Sequence, residues 1–427
     1  MKICVLGGTG FIGSHIVSTC IANGHNVTIG CRDTHRAQQI FPNTRVVRIL
    51  ADDPDPTAMA DALHDCDAVI NTIGVIGKPG TPIAHHAHIQ LIHTLVQACQ
   101  QTNKRIVHIS ALSLEENIDN EYCSTKMDGE NILRHSNLET IILRASFIYS
   151  SGSYGGSSAL RGLCAMPFAV ILPNGGQQKF QPIWAYDLAE IALKACNYTI
   201  ANGERSQTVT IGGPETLSFA EIVQKTRLWM GMKAAKIFSI PLPIIKIMGK
   251  IGDHFPLWGF STGVVNQMTT DFVTSTPNSL GIKMKSMDEA LQTHPAFVQD
   301  RWHAKLFLLR PFLALILAAI WLGSAISGFL AKADGITHIL PSYLTASSLM
   351  SFLIPVGSLV DFCFAVMILF GKWSKNLWFA QIAVVLVYTL GLTIFAPSLW
   401  LDLYGALLKN LSVITLVIIL FCITDDR

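Results

Sequence analysis

Residues 2–17 read KICVLGGTGFIGSHIV, and this stretch decides the fold. A short apolar run meets a glycine-rich turn, which opens a segment patterned as an amphipathic helix. Gly7, Gly10 and Gly13 stand in GxxGxxG spacing. Such spacing lets backbone approach a pyrophosphate while the positive end of the helix faces its charge. A glycine triplet alone is common, but here one strand starts at residue 2 and another, 26–30, follows a helix of fitting length. The chain is therefore expected to open as an α/β domain, a Rossmann doubly wound parallel sheet that binds a dinucleotide.

The tip of the second strand, in VTIGCRD (27–33), selects the cofactor. An acidic side chain there binds ribose hydroxyls, whereas an arginine accommodates a 2′-phosphate. Here the tip is Cys31-Arg32, with Asp33 one position late, so NADP(H) is expected in preference to NAD(H). The plainer alternative makes Arg32 an ordinary loop residue. A third strand, 45–50, ends at Ala51-Asp52, with Asp52 a candidate for the adenine amino group. The fourth, DAVINTIG (67–74), ends beside the expected nicotinamide ribose. A helix over 82–101 then carries His85, His86, His88 and His93. Imidazoles on adjacent turns can share an ion, but no acidic or cysteine ligand accompanies these, so a surface helix and no metal are expected.

The fifth strand, RIVHIS (105–110), leads to Ser110, and YCSTK (122–126) follows. Tyr122 and Lys126, four apart, share one helix face. An ammonium near a phenol favours phenolate, drawing its pKa down from about 10 toward the range of a working acid or base. A Tyr and a Lys four apart also occur as a plain surface pair; the position after the fifth strand gives these two their meaning.

Half of the 427 residues are hydrophobic and 14% are charged, and the imbalance is uneven: no glutamate occurs from Ala304 onward. Apolar stretches near 306–330, 346–370, 377–396 and 402–423 each reach the roughly 20 residues that cross a hydrocarbon core as helix. An all-α four-helix transmembrane bundle over 304–427 is expected after a head domain and small substrate lobe over 1–300. Arg301, Lys305 and Arg310 precede or open the first span, Lys372 and Lys375 separate the second from the third, and Arg427 ends the chain. The opposite loops hold only Lys332, with Lys409 just inside the fourth span. By the positive-inside bias, the head and both termini face the cytoplasm. Asp361 sits within the second span, either as a handler of protons or substrate or as a neutral group bonded to Gln381 or Tyr388. A net charge of +2 supplies no basic field for nucleic acid. Ten cysteines without a CxxC pair give no zinc or disulfide framework. The first residues have too short an apolar run for a secretory signal.

Together, GGTGFIG, DAVINTIG, YCSTK, ILRASFIY (142–149), PIWAYDLAEI (182–191) and VTIGGPETLSFAEIV (209–223) resemble the extended and atypical short-chain dehydrogenase/reductases, the NAD-dependent epimerase/dehydratase group. The segment 264–291 resembles the C-terminal tail of the branch that contains the dehydrogenase-like accessory subunit of respiratory complex I. The four spans resemble DoxX-like membrane proteins linked to quinone redox chemistry. The resemblance implies that Gly7, Thr9, Gly10, Phe11, Ile12 and Gly13 hold the pyrophosphate and Arg32 the adenosine phosphate. It places Asp52, Ile73, Gly74, Ala145 and Phe147 along the cofactor, and makes Tyr122 and Lys126 the acid/base pair. One departure stands out: Ala111 follows Ser110 where active relatives carry Ser or Thr, leaving Ser110 or Ser113 as the hydroxyl that orients a carbonyl.

The Gly- and Ser-rich segment 150–181 has the composition of a mobile loop over a substrate cleft. The segment 240–260, with Lys250 and Trp258, suits either a membrane interface or packing of the small lobe. The expected function is a membrane-anchored NAD(P)H-dependent oxidoreductase acting on a carbonyl or alcohol of a lipophilic substrate in a bacterial inner membrane, with respiratory or quinone-linked proteins as partners. The alternative is a non-catalytic NADP(H)-binding assembly or sensor protein.

Overall fold

The computed structural model describes residues 1–75, 81–100, 104–114, 121–200, 203–254, 262–330, 348–402 and 405–424; Trp258, Lys332, Ala346 and Arg427 lie outside them. It divides into two compact units, Met1–Gly249 with Ser261–Asp300, and Lys250–Phe260 with Arg301–Arg427.

The first unit opens as strand–helix repeats: β1 (Lys2–Leu6), α1 (Phe11–Ala22), β2 (Asn26–Cys31), α2 (Thr34–Ile40), β3 (Arg45–Arg48), α3 (Pro56–Leu63) and β4 (Ala68–Asn71). Next, α4 (Ile83–His85) passes through a π-helical turn (His86–Gln90) into α5 (Leu91–Gln100), followed by β5 (Arg105–Ala111), α6 (Glu121–Arg134) and β6 (Thr140–Ala145). Later elements are β7 (Ile148–Tyr149), α7 (Gly156–Cys164), β8 (Ala169–Pro173), β9 (Lys179–Phe180), β10 (Ile183–Trp184), α8 (Ala185–Ala195) and β11 (Ser206–Ile211). The unit finishes with β12 (Leu217–Ser218), α9 (Phe219–Trp229), β13 (Lys236–Ile240), α10 (Leu242–His254, which crosses into the second unit), α11 (Thr262–Thr269) and α12 (Met287–Thr293).

Seven strands pair in the order β11-β6-β5-β4-β1-β2-β3, all parallel. The alternation of β1 feeds both faces. Ile3 and Val5 pack with Ile16, Val17 and Ile29, whereas Cys4 and Leu6 pack with Leu91, Leu95 and Met59 on the other side. Strand order reverses between β1 and β4, and in open α/β sheets ligands bind at the carboxyl ends of the strands flanking such a point. The segment 150–181 is not an open loop: it contains α7 and β8, and the buried Arg161 guanidinium gathers the carbonyls of Ser150 (2.8 Å) and Ser151 (2.5 Å) while pairing with Asp300 (3.1 Å). Gly155, Gly175 and Gly176 take positive φ in turns flanking these elements, a use of glycine that composition alone does not distinguish from mobility.

The second unit holds α13 (Val298–Leu330, which begins in the first unit), α14 (Ser348–Leu369), α15 (Lys375–Phe395) and α16 (Leu408–Cys422). Among the described residues three helices are long and apolar enough to cross a membrane: Val298–Leu330, Phe352–Leu369 and Lys375–Phe395. The fourth expected span, 402–423, is shorter than read. Gly405 at φ +61° breaks the backbone, and α16 begins only at Leu408. Leu317, Trp321, Phe364, Ile368, Trp378 and Val417 form the interior of this unit. Asp361 accepts from Ser324 Oγ (2.6 Å) and Tyr388 Oη (3.2 Å), while Gln381 accepts the Trp321 indole (2.7 Å) instead.

Candidate cofactor and acid/base site

The glycine turn is shaped by two exclusions. Gly7 has φ +78°, a conformation that L side chains rarely adopt, and its amide donates to Gly30 O (2.7 Å). A Cβ on Gly13 would overlap the Gly7 carbonyl, so only glycine lets α1 pack this closely on the turn after β1. Gly10 caps α1 with no side-chain bond, which leaves the first amides of the helix pointing toward whatever anion lies at its N-terminus.

At the tip of β2, Asp33 turns into α2 and caps it, accepting from the Arg36 amide (2.9 Å). The acid that stood one position late is thus committed to a helix terminus. Arg32 is exposed and makes no ion pair or hydrogen bond among the described residues. Asp52 is also exposed, and its carbonyl accepts from His86 Nδ1 (2.8 Å). At the tip of β4, buried Asn71 accepts the Ile73 amide (3.0 Å) and its amide nitrogen meets His108 Nδ1 (3.1 Å), which must be unprotonated to accept.

Lys126 and His88 converge on this tip. A Cβ on Gly74 would sit 3.5 Å from Lys126 Nζ and 3.9 Å from His88 Nε2. Lys126 is buried and donates to Ile109 O (3.2 Å). Burial pushes its ammonium down to about 8, with Glu130 opposing. His88, also buried, accepts the Val75 amide at Nε2 (3.1 Å), which fixes the proton on Nδ1, where it is donated to Thr125 Oγ1 (2.9 Å). Burial and then the Lys126 charge push His88 down to about 3, so it stays neutral. Its ring meets Tyr122 edge to face, centroids 5.5 Å apart. The Tyr122 hydroxyl has no hydrogen-bond partner among the described residues. Contrary to the expectation of an activated phenolate, burial raises the Tyr122 pKa and Cys123 adds to that; the Lys126 charge does not reverse it.

Ser110 does not join this group. Its hydroxyl donates to Glu130 Oε1 (2.6 Å), within a buried network in which Arg144 (2.7 Å) and Arg134 also hold Glu130. Burial alone would raise the Glu130 carboxyl, but the bonds from Arg144 and Ser110 and the two cations hold it down. A carboxylate with no exposure needs donors, and that need, rather than a substrate, takes Ser110. Ser113 is buried beside Cys123, the residue after Tyr122. Ala145 closes β6, and half-exposed Phe147 packs edge to face on Phe180, centroids 5.9 Å apart.

Residues 7–161 match the family model of NAD(P)H-binding domains, and residues 318–418 match the DoxX-like family. The chain is 26% identical over 246 residues to the NADH-ubiquinone oxidoreductase 40 kDa subunit of Neurospora crassa mitochondria, covering 57% of this chain and 63% of that subunit. It is 22% identical over 261 residues to the photosystem II assembly factor Ycf39 of Trieres chinensis, covering 61% and 78%. A Staphylococcus aureus nucleoside-diphosphate-sugar epimerase superposes with TM-score 0.53 at 16% identity, covering 68% of this chain and all of that one (100%). Thermus thermophilus UDP-glucose 4-epimerase, solved with NAD, gives 0.51 at 17%, covering 71% and 99%. The match at 7–161 makes that part of the first unit an NAD(P)H-binding domain on a Rossmann-like parallel sheet, the fold it shares with the two epimerases, and 318–418 of the second unit are DoxX-like.

An NAD(P)H-binding domain needs a turn that admits phosphate backbone, and the crowding at Gly13 and the positive φ of Gly7 fit that need. Sequence reading brought Lys126, Tyr122, Ile73 and Gly74 to one place but missed His88, assigning all four histidines to a surface helix. His86 and His93 are not buried, but the π-helical turn inserts one extra residue and rotates His88 inward. The nearest signal was Gly129, where a Cβ would overlap the His88 carbonyl, so a glycine on α6 admits this turn. A second group was also missed. His15 on α1 bonds Phe11 O (2.7 Å) and Ser150 Oγ (2.7 Å), and its ring meets Tyr186 at 4.7 Å.

Proposed function

We propose that this chain is a membrane-anchored, NADP(H)-preferring oxidoreductase that reduces a carbonyl on a lipophilic substrate, with Tyr122 as general acid. The observation that carries the reading is the free Tyr122 hydroxyl on the helix face that brings Lys126 to the Gly74 tip. When bound, the nicotinamide supplies the hydride. Tyr122, kept protonated by burial, donates its proton to the substrate oxygen as charge develops there. Lys126 would hold the cofactor ribose and would stabilise the phenolate left behind, its own pKa of about 8 keeping a substantial charged fraction near neutrality. His88 holds the loop after β4 and the acid/base helix in register through Val75 and Thr125. Arg32 would take the 2′-phosphate. The lysines and arginines flanking the helices support a cytoplasmic first unit in a bacterial inner membrane.

The test uses full-length protein in nanodiscs, NADPH oxidation and a panel of lipophilic ketones and quinones. Tyr122→Phe is expected to lower turnover about 100-fold or more while leaving NADPH affinity within a few-fold; equal turnover in both proteins would rule the mechanism out. A second reading, a cofactor-binding assembly or sensor protein, draws on the commitment of Ser110 to Glu130 and on the similarity to an assembly factor. It would be supported by tight NADPH binding with no oxidation of any substrate in the panel.

A further inference from the structure

The parallel pair β8–β13 alternates against the usual sense. Val170 and Leu172 point inward and are fully buried, yet Ile171 and its cross-strand partner Phe238 are 46% and 57% exposed. Phe168, just ahead of β8, is 91% exposed. With Met166 and Pro241 these residues line an open apolar hollow of about 480 Å³. From Pro241 the chain runs directly into α10. That helix buries Ile245 and Gly249 and leaves Ile244, Ile247 and Met248 exposed at i, i+3, i+4 spacing. Soluble surfaces rarely leave an apolar hollow and a following run of large apolar side chains open in one short stretch of chain.

Charge and chain path identify the occupant. Residues 230–252 contain Lys233, Lys236, Lys246 and Lys250 and no Asp or Glu, and 163–176 contain no charged residue at all. All four lysines are exposed. The residues after Gly249, Lys250–Phe260, belong to the unit that holds the membrane-crossing helices. Phe, Ile and Met rimmed by Lys is the make-up of a lipid-facing surface, whereas protein interfaces are depleted in Lys. We propose that this face of the small lobe lies on an anionic lipid surface, with Phe168, Phe238 and Ile247 at the boundary of headgroups and acyl chains and the lysines on lipid phosphates. The proposal rests on the membrane character of the second unit and not on catalysis.

The test places a nitroxide at Phe168→Cys, Phe238→Cys or Ile247→Cys, with His35→Cys on α2 as an exposed control. All are made in full-length protein in which the exposed Cys363 and Cys422 are replaced by Ser. After reconstitution in phosphatidylcholine–phosphatidylglycerol vesicles, the three labels are expected to show an oxygen-to-nickel-chelate accessibility ratio several-fold above the control, reduced in pure phosphatidylcholine. Nickel accessibility equal to the control would overturn the proposal. So would protection from both reagents, with or without spin–spin broadening, which would assign the face to a protein partner or a second copy. A ratio unchanged between the two lipids would overturn the anionic component.

Discussion

His88 accepts the Val75 amide through Nε2 and passes its Nδ1 proton to Thr125, so an imidazolium there would lose the first bond and set a second charge against Lys126. Its folded value of about 3 lies below its ordinary 6.5. The unfolded chain therefore binds the proton first as pH falls: this residue costs nothing above 6.5, and stability is lost as pH drops from 6.5 toward 3. Gln keeps an acceptor for Val75 without titrating. The thermal midpoint of NADPH release, followed by nucleotide fluorescence, is expected to fall more steeply between pH 6.5 and 4.5 in the wild type than in His88→Gln; parallel curves would show that His88 does not titrate in this window. None of this was legible in the sequence, where four histidines within nine positions look alike. The one-residue insertion of the π turn separates His88 from its neighbours, and a hydrophobic pattern does not report such an insertion.

At the scale of elements, the first five strands and their parallel, doubly wound sheet were readable because apolar runs, glycine breaks and helix lengths agreed along the chain. What escaped was the direction each polar side chain takes once elements pack. Ser110 looked catalytic by its place at the end of β5, but α6 brings Glu130 beside it, a contact between residues twenty apart that spacing does not encode. The β2–α2 junction shows the opposite case. There the sequence offered Arg32 and a late Asp33, and the structure gives the physical reason for the lateness: Asp33 is the N-cap of α2, a role that typically contributes about 1 kcal/mol to helix stability. With the Asp33 carboxylate engaged as that cap, the guanidinium of Arg32 makes no ion pair among the described residues. Arg32→Ala is expected to weaken NADPH binding about 10-fold or more, the worth of a charge-assisted hydrogen bond or two, and to leave NADH binding nearly unchanged. Isothermal titration of both nucleotides checks it, and equal losses for the two would remove Arg32 from the 2′-phosphate site.

For the whole molecule, the side of the membrane on which the chain ends depends on one short helix. Hydropathy reads 402–423 as a span because Leu, Ile and Val dominate it, but the positive φ of Gly405 ends regular helix, and α16 keeps fifteen residues. At 1.5 Å per residue that is about 22 Å, some 8 Å short of a typical hydrocarbon core. Local thinning and flanking polar residues absorb mismatch at a modest cost per ångström. Lys409 lies in the first turn of α16, and the charged run Asp425-Asp426-Arg427 follows the helix in sequence, so charged residues flank it on both sides. Crossing satisfies both, whereas lying flat would leave exposed Leu411, Ile418 and Ile419 to compete for one interface. A protease-cleavable tag after Arg427 is accordingly expected on the same side as the first unit: in inside-out vesicles both are digested, and in right-side-out vesicles both are protected. Digestion of tag and first unit from opposite sides would mean that only three helices cross and that α16 rests at the surface.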